Sequence, residues 1–239
     1  MEVRQILDEG YVGLVETWGS DEAIVEAARM STGKGFNGWG TEDAPGDEKL
    51  LAYLYNNRHA TPFEMAGMVI EVKAPIFCFR EWHRHRTQSY NEMSARYIPL
   101  PNENYLPDIE NLLNRAHKAL ATTNRQASSV ATASLTKDQA EKDLTKLLAY
   151  YSDGQALYEE FLSHGWPKEL ARLPVPVARY SRMRASANLR NWLAFLTLRL
   201  DPAAQWEIRQ YAIAVGGLIG LHFPRTYDLF LKGLERVER

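Results

Sequence analysis

Residues 84–97 read RHRTQSYNEMSARY: three arginines, a histidine, two serines and a glutamate in one short run. Arginine keeps its proton at any ordinary pH, and its planar fork matches phosphate and carboxylate oxygens two at a time. Arg84, Arg86 and Arg96 are therefore anion clamps rather than acid–base groups. Ser89 and Ser94 add hydroxyl donors, and SYNEMS is expected to turn and offer backbone N–H groups. A second arginine set, Arg172, Arg190 and Arg199, lies far along the chain, with Asn188 and Gln205 close in sequence. A lone arginine is ordinarily a surface ion pair. Two dense groups beside apolar sequence point instead to a small polyanionic ligand. The chain as a whole supplies no attracting field, because 28 Lys+Arg against 30 Asp+Glu leave a net charge of −2.

Other chemistries find less support. His59, His83 and His85 raise a metal site, but no carboxylate stands at a supporting spacing and the neighbouring arginines repel a cation, so no metal is expected. Ser94 lacks the strand–turn–helix elbow of a nucleophilic serine. Cys78 sits in APIFCFREW, where an apolar setting raises a thiol's pKa and leaves it inert. Two alternatives remain open on residue types alone: a module that holds RNA or a nucleotide without chemistry, and a phosphoester hydrolase that uses the three histidines with a metal.

The elements that must position these residues come next. With 239 residues, 45% of them apolar, the chain can bury a sizeable core. Its single cysteine excludes an internal disulfide, and no apolar run approaches the roughly 20 residues of a membrane helix. The acidic start, MEVRQILDEG, lacks the pattern of a signal peptide, so a cytoplasmic location is expected. Residues 12–18 read as a strand, followed by a helix to residue 30 capped by Ser20. The glycine-rich stretch 33–46 reads as a flexible surface loop, with a mobile lid over a site as the alternative, and 47–57 as a helix. A β-branched run at 69–72 ends at Pro75, with a helix expected over 76–85. Residues 106–164 read as mainly helical, with Leu144, Leu147, Leu148, Tyr151, Leu157, Tyr158, Phe161 and Leu162 as a core-facing stripe. Residues 121–134 interrupt it as a loop or weak helix. A strand is expected over 177–187, a helix from Asn188, and a last long helix opened by Asp201 and Pro202. Helices interleaved with a few strands, without a separating linker, predict one α+β domain over residues 1–239.

At Arg84-His85-Arg86, seven residues and Ser94, the chain resembles the flavin-dependent thymidylate synthases. RHATPFE (58–64), VKAPIFCFREW (72–82), NLRNWLAFLTLR (188–199) and AQWEIR (204–209) also look like segments of that family. The resemblance implies a central antiparallel sheet flanked by helices, a homotetramer with active sites between subunits, and reductive methylation of dUMP to dTMP. Methylenetetrahydrofolate would be the carbon donor, and FAD reduced by NADPH the hydride carrier. Carried over by position, Thr61, Arg84, His85, Arg86, Glu92, Asn188, Leu189 and Arg190 would bind FAD, with His59 near the flavin. Glu81, Trp82, His83, Arg84, Glu92, Met93, Ser94, Ala95, Arg96, Arg172 and Arg199 would bind dUMP. Arg199 would also stabilise charge on the uracil ring. The partners implied are thus small molecules, with no nucleic-acid polymer and no membrane. The chain departs from some members at Glu81, where they carry glutamine, and at Ala194 and Ala203, where they carry asparagine and histidine.

Overall fold

The computed structural model describes residues 2–41, 44–121 and 134–237. Along the first part of the chain lie β1 (Val3–Ile6), β2 (Gly10–Trp18), α1 (Asp21–Arg29), α2 (Glu48–Asn56), β3 (Gly67–Pro75), α3 (Ile76–Trp82) and β4 (Ser89–Glu92). Then follow α4 (Ile109–Ala121), α5 (Lys137–Ser163), α6 (Lys168–Ala171), β5 (Tyr180–Asn188), α7 (Leu189–Arg199), α8 (Trp206–His222) and α9 (Pro224–Val237). The fold is α+β. Its five strands form an antiparallel sheet in the order β1-β2-β3-β5-β4. The chain divides into two compact units, one of Met1–Ala74, Cys78–Glu92 and Arg182–Arg239, the other of Pro75–Phe77 and Met93–Ser181.

The first unit follows from a period-two pattern on β3 and β5. Met68, Ile70 and Val72 are fully buried on one face of β3, and Met183, Ala185 and Ala187 are buried on β5, while Arg182 and Arg184 stay exposed. Helices α7 and α8 cover the apolar face with Trp192, Phe195, Leu196, Ile208, Val215 and Leu218, all fully buried. Trp192 Nε1 donates to the Met68 carbonyl at 3.0 Å, which satisfies the indole where water is absent. Helix α9 lies close against α8 because Gly216 and Gly220 leave room for Tyr227; a Cβ at Gly216 would come within 2.7 Å of its hydroxyl, and one at Gly220 within 2.8 Å of its ring. The α9 N-terminus is capped from α1. Asp21 accepts from Arg225 N at 2.8 Å, Thr226 N at 3.2 Å and Thr226 Oγ1 at 2.6 Å, which answers N–H groups that a helix start leaves open.

The second unit is organised around Arg179, whose side chain is fully buried. It donates to Asn104 Oδ1 at 3.0 Å, the Pro101 carbonyl at 2.7 Å and Gln155 Oε1 at 2.8 Å. Helix α4 packs on α5, and α5 turns Tyr151 and Tyr158 inward.

The structure changes several of these expectations. SYNEMS is not a turn: Ser89–Glu92 is strand β4, drawn straight by pairing with residues 183–186 of β5. The helix after Pro75 ends at Trp82, three residues early, where the chain must turn toward β4. Asp201 and Pro202 do not open a long helix; Asp201 Oδ1 instead accepts from Ala203 N at 2.7 Å in a turn, and α8 starts after Gln205. Nor is α8 the last helix, since α9 follows it. On α5, Leu148 and Leu157 of the expected core stripe are exposed. Strand β1 carried no recognised signal. The interruption expected at 121–134 falls largely outside the described residues. The glycine-rich loop, where described, is tied down: Asp47 accepts from Asn37 N at 2.8 Å, and Glu48 from Gly40 N at 2.9 Å and Gly46 N at 3.0 Å. Among the described residues, no helix is long and apolar enough to cross a membrane.

Asp21→Ala leaves three donors at the head of α9 unanswered, two of them on the fully buried Thr226. It is expected to lower stability by about 1–3 kcal/mol, read as a lower urea midpoint at unchanged slope. A midpoint equal to that of the parent protein removes the cap from the account.

Candidate functional site

In the first unit, the end of α3, the turn to β4 and the end of α7 bring candidate residues together. The turn is fixed from inside. His85 N donates to the Trp82 carbonyl at 3.0 Å, and Gln88 N to the His85 carbonyl at 3.2 Å. The Tyr90 hydroxyl lies 2.7 Å from the His85 carbonyl and 3.1 Å from that of Trp82. Trp82 is fully buried, stacks on Phe195 at 4.7 Å and donates through Nε1 to Gln88 Oε1 at 3.0 Å. With its flanks held this way, the turn alternates: Arg84 and Arg86 stand exposed while His85 points inward.

His85 meets Arg199 there. Arg199 Nε donates to His85 Nε2 at 2.9 Å, its Nη1 to Glu81 Oε2 at 2.9 Å and its Nη2 to the Glu81 carbonyl at 2.7 Å. The Arg199 side chain is only 13% exposed, so these three bonds supply most of its solvation. Because His85 accepts through Nε2, its ring proton resides on Nδ1. Burial, and the Arg199 charge beside it, push its pKa down to about 4, so the imidazole is neutral at physiological pH. Phe195 closes the other side of the ring at 4.8 Å.

The remaining candidates of this unit are spread around that centre. Asn188 ends β5 and caps α7, its Oδ1 accepting from Asn191 N at 3.0 Å. Leu189 is fully buried, and Arg190 is exposed and paired with Glu64. Thr61 is exposed at the start of a short helical turn at 61–64, Glu92 ends β4 in the open, and His83 is exposed beside Tyr90 at 4.8 Å. His59 packs edge-on against Tyr53 at 5.5 Å. Trp82 and Leu189 are fully buried and present no side chain to a ligand. In the second unit, Arg96 Nε lies 3.5 Å from Glu169 Oε2, and Arg172 Nε donates to the Glu169 carbonyl at 3.3 Å, so α6 gathers both arginines. Ser94 Oγ accepts from Arg96 N at 3.3 Å, Ala95 is buried and Met93 half-buried.

Sequence reasoning missed Glu64, Gln88, Tyr90, Glu169 and Phe195. Glu81 was expected among the dUMP-binding residues, and its pairing with Arg199, through both its carboxylate and its carbonyl, was not foreseen. Cys78 is buried, and its surroundings push the thiol up, first by desolvation and then by Glu207 and Glu81. Among the described residues, no three His, Cys, Asp or Glu side chains come together to hold a metal ion.

A family model described as thymidylate synthase complementing protein matches residues 13–225. Relatives carrying the name flavin-dependent thymidylate synthase include one from Thermosipho africanus, 36% identical over 230 residues that cover 95% of this chain and 93% of the relative. The chain belongs to the flavin-dependent thymidylate synthase family. Another member, from Thermus thermophilus, is 39% identical over 225 residues, which cover 94% of this chain and 77% of the relative. A solved structure of the UMP/dUMP methylase PolB from Streptomyces cacaoi, bound with 5-Br UMP, is 31% identical with a TM-score of 0.78, covering 95% of each chain. In this member of the family, the Arg84-His85-Arg86 triplet belongs to the first unit and Ser94 to the second.

The neutral His85 sets a pH dependence with a definite sign. A folded-state pKa of about 4 against an ordinary 6.5 means that the unfolded chain takes up the proton first. The His85 contribution to stability is therefore complete above pH 6.5 and is lost as pH falls toward 4. His85→Gln, which cannot titrate, is expected to flatten this part of the urea stability profile. Parallel profiles for the two proteins would mean that His85 is not held neutral.

Proposed function

We propose that the chain catalyses reductive methylation of dUMP to dTMP, with methylenetetrahydrofolate as carbon donor and FAD reduced by NADPH. Family membership over residues 13–225 supports a methylating enzyme of this type. The single observation that carries the reading is a division of labour in the first unit. Arg84 and Arg86 are exposed without a carboxylate partner among the described residues, while Arg199 beside them is rigidly bonded. Two free guanidinium groups on one turn are the donor set that a pyrophosphate needs, which fits FAD; Thr61, Glu92 and the 188–190 junction lie in the same unit. Arg190 joins such a set only after releasing Glu64.

When bound, the flavin would supply the hydride that completes the methyl group, so the protein itself needs no nucleophile. The buried, raised Cys78 thiol agrees with that. The protein's share is binding and electrostatics. Arg199 would stabilise negative charge developing on the uracil ring without moving a proton, and removing one such preorganised donor commonly costs about 10²–10³ in rate. In the first unit, His83 and Arg84, both exposed, would flank dUMP. A homotetramer, as the resemblance implies, would cover Leu198, Ile213 and Leu221, exposed apolar residues of α7 and α8. The PolB likeness raises UMP as a second substrate. The thymidylate synthase relatives, more similar in sequence, favour dUMP.

The purified protein is expected to show flavin absorption bands and to oxidise NADPH at a rate that responds to dUMP more than to UMP, with dTMP formed when methylenetetrahydrofolate is present. A colourless protein that takes up no FAD and ignores NADPH would overturn the reading. Cys78→Ala is expected to keep dTMP formation within a few-fold of the parent rate. Complete loss in a folded variant would give the thiol the role denied here.

A further inference from the structure

Arg199 is the one member of the distant arginine set whose described hydrogen bonds all go to residues of the Arg84 turn region. Its five N–H groups are engaged at three points, Nε by His85 and one each on Nη1 and Nη2 by Glu81. One N–H on Nη1 and one on Nη2 are left. The three partners approach from different directions, so the guanidinium plane cannot rotate without breaking at least one bond. Glu81 acts twice, through its carboxylate and its own carbonyl, and the carbonyl belongs to α3, whose end is fixed by the Tyr90 and His85 bonds to Trp82.

We propose that Glu81 and His85 are positioning residues that hold the Arg199 guanidinium in one orientation, with two N–H groups left over for the substrate. The proposal rests on the dUMP reading above and adds what orients the arginine in it. Glu81 thereby acts through Arg199 and not by touching dUMP itself. His85 contributes because it is neutral: an imidazolium would present a second N–H to the arginine and drive it away. The side chain of His85 is thus withdrawn from the exposed Arg84 and Arg86 on either side of it.

Two measurements test this, one of them independent of turnover. In ¹⁵N spectra of histidine-labelled protein at neutral pH, His85 should be the Nδ1–H tautomer with an unprotonated, hydrogen-bonded Nε2, and Arg199→Ala should abolish that preference. A wild-type His85 protonated on Nε2 overturns the holder. In kinetics, Glu81→Ala should lower kcat about 10²-fold, the scale of a reacting group misplaced by an ångström. Glu81→Gln, which keeps an acceptor oxygen, should recover most of that loss. The double variant Glu81→Ala/Arg199→Ala should turn over no more slowly than Arg199→Ala alone, because residues that act as a unit are not additive. Losses that multiply, or a Glu81→Gln variant as slow as Glu81→Ala, show that Glu81 acts separately and overturn the proposal. Wild-type protein that makes no dTMP but shows the expected tautomer overturns the reaction while the holder stands. Active protein whose two losses multiply overturns the holder while the reaction stands.

Discussion

A guanidinium withdrawn from water must have its N–H groups answered by the protein, and in the first unit this demand falls hardest on Arg199. Leaving a charged donor unanswered in such a place costs more than a single hydrogen bond contributes. The surrounding order can be traced from that requirement. Helix α3 must end at Trp82 for the Glu81 carbonyl to be free. The chain must then turn so that His85 faces inward, and the Trp82 indole must find Gln88 once it is sealed beneath Phe195. Tyr90 ties the turn to the start of the edge strand. Arg199, His85, Trp82 and Tyr90 each answer a neighbour in this chain of contacts, while Gln88 Nε2 is buried without a hydrogen-bond partner among the described residues.

The arginines fall into two electrostatic classes. Arg96, Arg190 and Arg199 each stand against a glutamate, respectively Glu169, Glu64 and Glu81. Arg84 and Arg86 have no such partner among the described residues. An arginine with a counter-ion must exchange it before an anion can take the same N–H groups, whereas a free one gains from the first phosphate that arrives. In a chain of net charge −2, the free pair are the groups with most to gain from a phosphate. Exposed pairs such as Arg96 with Glu169 contribute little to folding, so their exchange is inexpensive.

Local signals in the sequence were legible where the physics is local. Ser20 before an acidic pair announced α1, and Asn188 announced α7 because its short side chain can reach an N–H three residues on. The β-branched run of β3 and the fully buried Cys78 were equally readable. What escaped was set by tertiary partners. Strand β4 is short and polar, and it exists because β5 offers it a ladder. Glu64 and Arg190 lie 126 positions apart and Glu81 and Arg199 118 apart, so no window of sequence contains either pair. The motif residues identified which side chains carry charge. They carried no information about which charges the fold would already have paired, and for that reason the bond between Arg199 and His85, a residue expected to bind FAD, was not foreseen.

Helix α7 begins without a loop: the last residue of β5 is its cap, and Leu189 N is bonded to the Ala66 carbonyl at 2.7 Å. Arg190 and Arg199 stand at its two ends. At about 1.5 Å and 100° per residue, their Cα atoms are separated by about 14 Å along the axis and face opposite ways, as their different partners show. The helix is therefore a ruler as well as a wall. Inserting or deleting one residue would leave the core stripe of α7 and the reach of its two arginines impossible to satisfy together. The length of this segment is thus as much a part of the site as the identity of any side chain in it.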